Sequence, residues 1–469
     1  MKSPADNSAD EKRLMLGISG MRGIVGSTIT ADIVSRYAAA FGTWLHGPAP
    51  RQRGPLVVVA RDSRESGPAL FEAATDGLRA VGCRVRRLGI LSTPGAAIMA
   101  RHVQADGAVV ITASHNPGRW NGVKLLNDRG LAPPAEDARR IIDMYESGRV
   151  RTSQPSAADD VEIDHGAADV HVRRVAEQLD VERIAAANLK VVLDSVHGAG
   201  GREATGLLER LGVQLVHLYA EPTGRFPHAP EPLRENLTHL CAQVTVHGAD
   251  AGFAIDPDAD RLAVVDEGGR YIGEEYTLAL SALHVLQRSP QTDALVLAAN
   301  LSTSRMIDDV AERLGARVVR TAVGEANVAD AMRKQGAVIG GEGNGGVIWP
   351  PVAFVRDSLA GMGLILEMLA VTGRRLSRNA ADLPSYRIIK QKFSLTGAPE
   401  AALDRLDEQF TTAQSVDRQD GVRLDWPDRW VHVRPSNTEP ILRIIAEART
   451  QSEAQELVEQ VRAALGIEG

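Results

Sequence analysis

Short runs of β-branched and other apolar residues alternate with stretches whose apolar positions recur at helical spacing, the pattern of parallel α/β layers. The pattern recurs three times. In the first unit LVVVARD (56–62) precedes a helix over ALFEAATDGLRAVG (69–82), a strand over CRVRRLG, a helix over TPGAAIMARHV and the apolar run GAVVITAS (107–114). Ser114 therefore stands where a buried strand emerges at its carboxyl end. The second unit leads from LKVVLDS (189–195) through GREATGLLERLGV and QLVHLYA to AGFAIDPDADRLAVVD (251–266), in which three aspartates interrupt two apolar strands. The third carries helices over EEYTLALSALHVLQ, STSRMIDDVAERLG and EANVADAMRKQG, strands over ALVLAANL and ARVVRTA, and then the glycine-rich AVIGGEGNGGVI (337–348). The C-terminal stretch differs. Strands over YRIIKQKFSL, WVHVRPSN and ILRIIAEA, beside helices over PEAALDRLDEQF and SEAQELVEQVRAAL, predict a small α+β domain.

Polar or glycine-rich breaks at 151–160, 266–275 and 371–384 divide the chain into expected domains at 1–155, 156–271, 272–378 and 379–469. Length agrees, because 469 residues exceed a single core at about 150 residues per domain. Composition narrows the partners. Aromatic residues make up only 4%, too few for base-stacking platforms, and the net charge of -7 offers no basic footprint, so no nucleic acid is expected. Cys83 and Cys241 are the only cysteines, which excludes a disulfide framework and a zinc spacing. The N-terminal MKSPADNSADEKR is polar and no run of about 18 apolar residues occurs, so a cytoplasmic protein without a membrane partner is expected.

Four loops carry candidate chemistry. In VITASHNPGRWNGVK, Ser114 and His115 are neighbours; on a strand they would point apart, so no ready-made serine–histidine pair is expected, and a polar Asn-Pro turn is the plain alternative. DPDADR sets Asp256, Asp258 and Asp260 at alternate positions, where carboxylates repel unless a cation joins them, and hard oxygens select magnesium or calcium. An EF-hand reading fails at Arg261, which occupies the position of the turn glycine. A phosphoserine near these aspartates would make a divalent cation necessary for assembly. GGEGNGG (340–346) holds a formal GxGxxG, but VIWPP follows where a phosphate-facing helix should start; Glu342 and Asn344 there suit sugar hydroxyls, or the segment is a hairpin turn. HGAGG (197–201) reads as a simple connecting turn. RPSNTEP (434–440) forms a compact phosphate grip or an Asn-centred turn, and ISGMRG (18–23) adds Arg22 as a second cation for phosphate.

TASHNP with its following NGVK, DPDADR, the GGE loop and RPSNTEP, in this order, resemble the α-D-phosphohexomutase superfamily over nearly the whole chain. The resemblance implies three similar α/β domains plus a smaller C-terminal α+β domain around a central cleft, one loop from each. It implies that Ser114 is a phosphoserine which, with Asp256, Asp258 and Asp260, ligates Mg2+, that Arg261 neighbours that phosphate, and that Arg22, His115 and Lys124 surround the group in flight. Glu342 and Asn344 would hold sugar hydroxyls; Arg434, Ser436, Asn437 and Thr438 would grip the phosphate that does not react. The base is left open among His115, Lys124 and a group not singled out by these motifs. The partner would be a hexose phosphate or hexosamine phosphate, with a sugar 1,6-bisphosphate as activator, acting on a monomer or homodimer.

Branch markers divide. Ser19 and Asn437 are similar to the phosphomannomutase/phosphoglucomutase branch, whereas Ala322 and the ISGMRG start are similar to the phosphoglucosamine branch. Departures from the pattern are Ile18 for threonine, Pro257 and Ala259 for loop glycines and Asn344 for serine. The leading expectation is phosphoglucosamine mutase. A metal-dependent phosphatase using the same serine and a non-catalytic sugar-phosphate binder are the readings from other classes.

Overall fold

The computed structural model describes residues 14–18, 20–47, 52–152, 161–290, 295–394, 403–435 apart from 405 and 407, and 441–467. Four sheets form among them. The first runs in the order Met15–Gly17, Gly20–Ile24, Trp120–Asn127, Gly107–Ile111, Leu56–Arg61, Arg84–Ile90, Val161–Ile163. Its centre is parallel, because Leu56–Arg61 pairs in parallel with both Gly107–Ile111 and Arg84–Ile90. Its other half is antiparallel: Trp120–Asn127 folds back on Gly107–Ile111, and Gly20–Ile24 pairs with Trp120–Asn127. That register sets Lys124 opposite Val110 and Arg22 opposite Gly122. Two cations are thus aimed by one sheet at the end where Ser114 emerges.

The second and third sheets repeat a smaller plan. Leu262–Asp266, Ala251–Ile255, Lys190–Asp194 and Gln214–Leu218 form one, and Gly346–Ile348, Ile339–Glu342, Val296–Asn300 and Arg317–Thr321 the other. In each, a parallel core ends in an antiparallel return strand. Ile255 pairs with Leu262, so the DPDADR residues are the loop of a hairpin; Glu342 pairs with Gly346, so Gly343, Asn344 and Gly345 are the tip of another. Purely parallel layers are therefore not what forms. A return strand replaces one crossover helix in each unit, because a six-residue loop is long enough for a hairpin and far too short for a parallel crossover.

The fourth sheet is wholly antiparallel, in the order Arg387–Ser394, Ile441–Ala448, Trp430–Pro435, Val422–Asp425, Ser415–Asp417. The last two strands are short and polar, and hydropathy gave no sign of them. The helix Gln451–Leu465, opened by a capping box of Thr450 and Glu453, covers one face. Of the helix expected over PEAALDRLDEQF, residues 399–402, 405 and 407 lie outside the described residues, and 403, 404, 406, 408 and 409 are helical.

One hydrophobic core runs through the first three domains, and the C-terminal domain has its own around Leu424, Val431, Ile444 and Val458. The helix Ser358–Thr372 is buried through most of its length, which fits its apolar sequence SLAGMGLILEMLAVT. Among the described residues no helix is long and apolar enough to cross a membrane.

The shared core contains one charged knot. His171 is fully buried, with Nδ1 2.7 Å from Glu203 Oε1 and Nε2 2.9 Å from Asp357 Oδ2. Glu203 also accepts the Ser92 N–H at 2.9 Å and the Ser92 hydroxyl at 2.7 Å, so the first three domains meet here. Burial opposes the imidazolium, but Asp357 and Glu203 overcome it and push His171 up to about 10. A group raised in the folded state stabilises fully below its unfolded value near 6.5 and loses that contribution as pH climbs through its folded value. Urea midpoints of the wild type should therefore fall between pH 7 and pH 10, and H171A should cost about 3–5 kcal/mol at pH 7 by leaving two buried carboxylates without their cation.

Candidate active site

Ser114 is completely buried and takes φ +50, a left-handed conformation that costs a non-glycine residue about 1–2 kcal/mol. The strain is held from below. Its N–H donates to Thr112 Oγ1 at 2.9 Å, and its carbonyl accepts from Arg64 Nη2 at 2.5 Å. Arg64, itself buried, also donates to the carbonyls of Asn116, Pro117 and Trp120, and its Nε meets Asp62 Oδ2 at 2.9 Å. This cage fixes the whole turn. Because Ser114 leaves the strand conformation, its side chain and that of His115 do not point apart: Oγ lies 3.3 Å from His115 Nδ1. The expectation that the two neighbours diverge is thereby corrected.

Ser114 Oγ donates to Asp256 Oδ2 at 3.0 Å. Asp256, Asp258 and Asp260 are all fully buried, and one oxygen from each lies within 4.8 Å of the others. Asp256 Oδ1 accepts the N–H groups of Asp260 and Arg261 at 3.0 and 3.1 Å, which turns Oδ2 towards the serine. Burial, followed by the charges of Asp258 and Asp260, raises Asp256 well above the ordinary carboxylate range. Ala259, standing where the resembled pattern has glycine, takes φ +54. HGAGG, read as a plain connector, packs directly against it: a Cβ on Gly200 would lie 2.5 Å from Ala259 Cβ, and one on Gly198 2.8 Å from Pro257 Cα.

Cations from other domains reach into the triad. Lys124 Nζ donates to Asp258 Oδ2 at 2.6 Å and Asp260 Oδ2 at 3.0 Å; burial opposes its charge, yet these two carboxylates keep it protonated above the usual lysine range. Arg356 Nη2 donates to Asp260 Oδ2 at 2.7 Å, its Nη1 to Glu342 Oε2 at 2.7 Å and its Nε to Glu325 Oε2 at 2.9 Å. For Asp260, burial works against ionisation, but Arg356, Lys124 and Arg261 hold it below the carboxylate range. Arg261 Nη1 donates to Glu231 Oε1 at 3.3 Å, and Arg22 Nη1 donates to Asn116 Oδ1 at 3.2 Å, inside the serine loop. Burial, with Arg261 and Arg22 close by, leaves His115 neutral, well below 6.5.

Glu342 is almost buried and already engaged: Asn300 and the Gly324 N–H donate to Oε1 at 2.8 and 3.1 Å, while Arg356 and Asn344 approach Oε2 at 2.7 and 3.4 Å. Arg434 is the penultimate residue of the strand Trp430–Pro435, with its Nε 2.9 Å from Asp420 Oδ2. Ser436, Asn437 and Thr438 lie outside the described residues, as does Ser19. The structure thus brings Ser114, His115, Arg22, Lys124, Arg261 and the three aspartates into one cluster, and links Glu342 to it through Arg356. Sequence reasoning missed Arg64, Arg356 and Thr93, whose hydroxyl donates to Asp258 Oδ2 at 2.5 Å. A lone arginine in the apolar stretch VIWPPVAFVRDSL and the Asp-x-Arg spacing of ARDSRES were the available signals.

The donor set suits a hard divalent cation. All three aspartates offer oxygen, and the buried Asp258 Oδ1 and Asp260 Oδ1 have no hydrogen-bond partner.

Comparison with known proteins agrees with this arrangement. Models of the phosphoglucomutase/phosphomannomutase family match throughout: its alpha/beta/alpha domain I over 13–151, domain II over 169–269, domain III over 274–386 and its C-terminal domain over 389–464. A phosphoglucomutase/phosphomannomutase of Thermococcus kodakarensis is 37% identical, covering 95% of this chain and 97% of its own. A probable phosphoglucosamine mutase of Methanopyrus kandleri is 35% identical, over 94% and 95%. The solved phosphoglucomutase/phosphomannomutase family protein of Burkholderia thailandensis superposes with a TM-score of 0.83 at 30% identity, covering 96% of this chain and 98% of that one. The chain belongs to the phosphoglucomutase/phosphomannomutase family of the α-D-phosphohexomutase superfamily. It is accordingly a mutase, an isomerase of phosphorylated hexoses.

If the triad takes a divalent cation, magnesium should raise the melting temperature of the wild type, by the equivalent of about 2.7 kcal/mol at a hundred times its Kd. D258N should abolish most of that shift, as read by differential scanning fluorimetry over a magnesium titration.

Proposed function

We propose that the chain interconverts glucosamine 6-phosphate and glucosamine 1-phosphate through a phosphorylated Ser114 and a bisphosphorylated sugar. The observation that carries the reaction is the Ser114 hydroxyl 3.0 Å from Asp256 Oδ2 at the edge of a buried aspartate triad. Support for the sugar comes from several relatives named probable phosphoglucosamine mutases, at 35%, 32% and 33% identity. The second reading, glucose and mannose phosphates, is favoured by the 37% identical relative.

In the reaction the bond between phosphorus and Ser114 Oγ breaks as phosphorus bonds to a free hydroxyl of the sugar monophosphate, and the hydroxyl proton passes to a base. The bisphosphate then turns, and its other phosphate returns to Ser114. Mg2+ held by Asp256, Asp258, Asp260 and the serine phosphate would offset charge on the phosphoryl oxygens. Arg22 and Arg261 flank the serine and serve the same end as fixed charges. Neutral His115, 3.3 Å from Oγ, is better placed than charged Lys124 to exchange the proton. Glu342 and Asn344 orient the sugar from the third domain, while Arg434, with Ser436, Asn437 and Thr438, holds the phosphate at rest.

Intact-mass analysis with peptide mapping should find one phosphate on Ser114. A panel of glucosamine, glucose and mannose phosphates, each with its 1,6-bisphosphate, should show the highest kcat/KM for glucosamine phosphate, and S114A should lower turnover at least about a thousandfold. Preference for mannose or glucose phosphate would transfer the assignment to the second reading; steady release of inorganic phosphate as the main product would make the chain a phosphatase.

A further inference from the structure

The third and fourth domains meet along a polar seam. His432 Nδ1 lies 2.9 Å from Ser302 Oγ and its Nε2 2.6 Å from the Asp420 carbonyl; Arg423 donates to the Leu301 carbonyl, and Arg305 to that of Trp426 at 2.9 Å. On the same seam, a single oxygen spans the two domains. Asp420 Oδ2 accepts the Val323 N–H at 3.1 Å and forms an ion pair with Arg434 Nε at 2.9 Å, a contact of charges and not a hydrogen bond.

Both partners of the pair are largely shielded, at 11% exposure for Arg434 and 17% for Asp420, so the attraction is screened far less than on an open surface. The turn that places Asp420 needs the glycine after it. Gly421 has φ +72, and a Cβ there would fall 2.2 Å from the Val433 carbonyl and 2.8 Å from Arg434 Cα.

From Val323 the contacts continue to the triad. The next N–H, of Gly324, donates to Glu342 Oε1; Glu342 Oε2 takes Arg356, and Arg356 takes Asp260. Asp420 is therefore the point at which a guanidinium of the fourth domain joins a chain of contacts ending at the aspartates.

We propose that Asp420 is a positioning residue for phosphate recognition: its charge holds the Arg434 guanidinium in place and its carboxylate registers the fourth domain against the 321–325 loop of the third. This rests on the reading of Arg434 as a phosphate ligand. An ion pair at Nε does not itself engage either Nη nitrogen, and a guanidinium fork grips an oxyanion in two-point fashion only when it is held where the oxyanion arrives. Asparagine at this position keeps the size and an acceptor for Val323 but removes the charge that holds the guanidinium.

The test is a double-mutant cycle of D420N and R434A, read by KM and kcat for the preferred hexose phosphate and by calorimetric titration with inorganic phosphate. D420N should raise KM and the Kd for inorganic phosphate about tenfold, with kcat within about threefold of wild type. In the R434A background D420N should add no further loss, because Asp420 acts through that guanidinium. Unchanged KM and phosphate affinity in D420N, a fall in kcat at constant KM, or losses that multiply in the double variant would each overturn the proposal. D420S, which also removes the charge and keeps a short acceptor near Val323, replaces D420N with the same expectations if the latter does not fold. Failure of the mutase assignment looks different: wild-type protein that turns over no hexose phosphate, with the inorganic phosphate titration still deciding the role of Asp420.

Discussion

Three carboxylates buried in one short loop repel one another, and in this chain the charges that make them tolerable come from elsewhere. Two unit charges about 4 Å apart interact by roughly 4 kcal/mol at an effective dielectric near 20, so a triad of aspartates could not stay ionised unaided. Lys124 arrives from the first domain and Arg356 from the third, while the loop itself contributes only Arg261. Burial of the acids thus makes the site a property of the domain arrangement. Separate the domains and the aspartates either take up protons or open to water.

The loops themselves share one construction. The segments carrying Ser114, the aspartates and Glu342 each connect a strand to an antiparallel return strand, as shown by the pairs Ile111 with Val123, Ile255 with Leu262 and Glu342 with Gly346. In the last domain the strands Trp430–Pro435 and Ile441–Ala448 are likewise an antiparallel pair, with Pro435 opposite Leu442. A hairpin loop is anchored at both ends by ladder hydrogen bonds, so its backbone can hold conformations an open loop would lose. Ser114 and Ala259, both at positive φ, are the residues that use this support.

The fold was legible because apolar periodicity reports which faces are covered, and the four polar loops interrupt it at strand ends. Ser114 and the aspartates stood out for the same reason: charge and hydroxyl where burial was already implied. Arg64 and Arg356 did not, since their work is done through four backbone carbonyls in one case and three separated carboxylates in the other. No sequence spacing records such partners. The pairing of Ser114 with His115 was hidden for a related reason, because alternation along a strand says nothing once one residue adopts a left-handed backbone.

His171 and the triad show the same economy at different depths. At His171 one buried cation is shared by two acids and closes the joint between three domains; at the triad Lys124 and Arg356 from other domains, with the loop's own Arg261, face three acids and leave Asp258 Oδ1 and Asp260 Oδ1 without hydrogen-bond partners. The first arrangement is complete, which suits a joint. The second is incomplete in its hydrogen bonds, and buried carboxylate oxygens left unpartnered at the edge of a strained serine have both the affinity for a cation and, in the serine, the oxygen on which a phosphoryl group can rest.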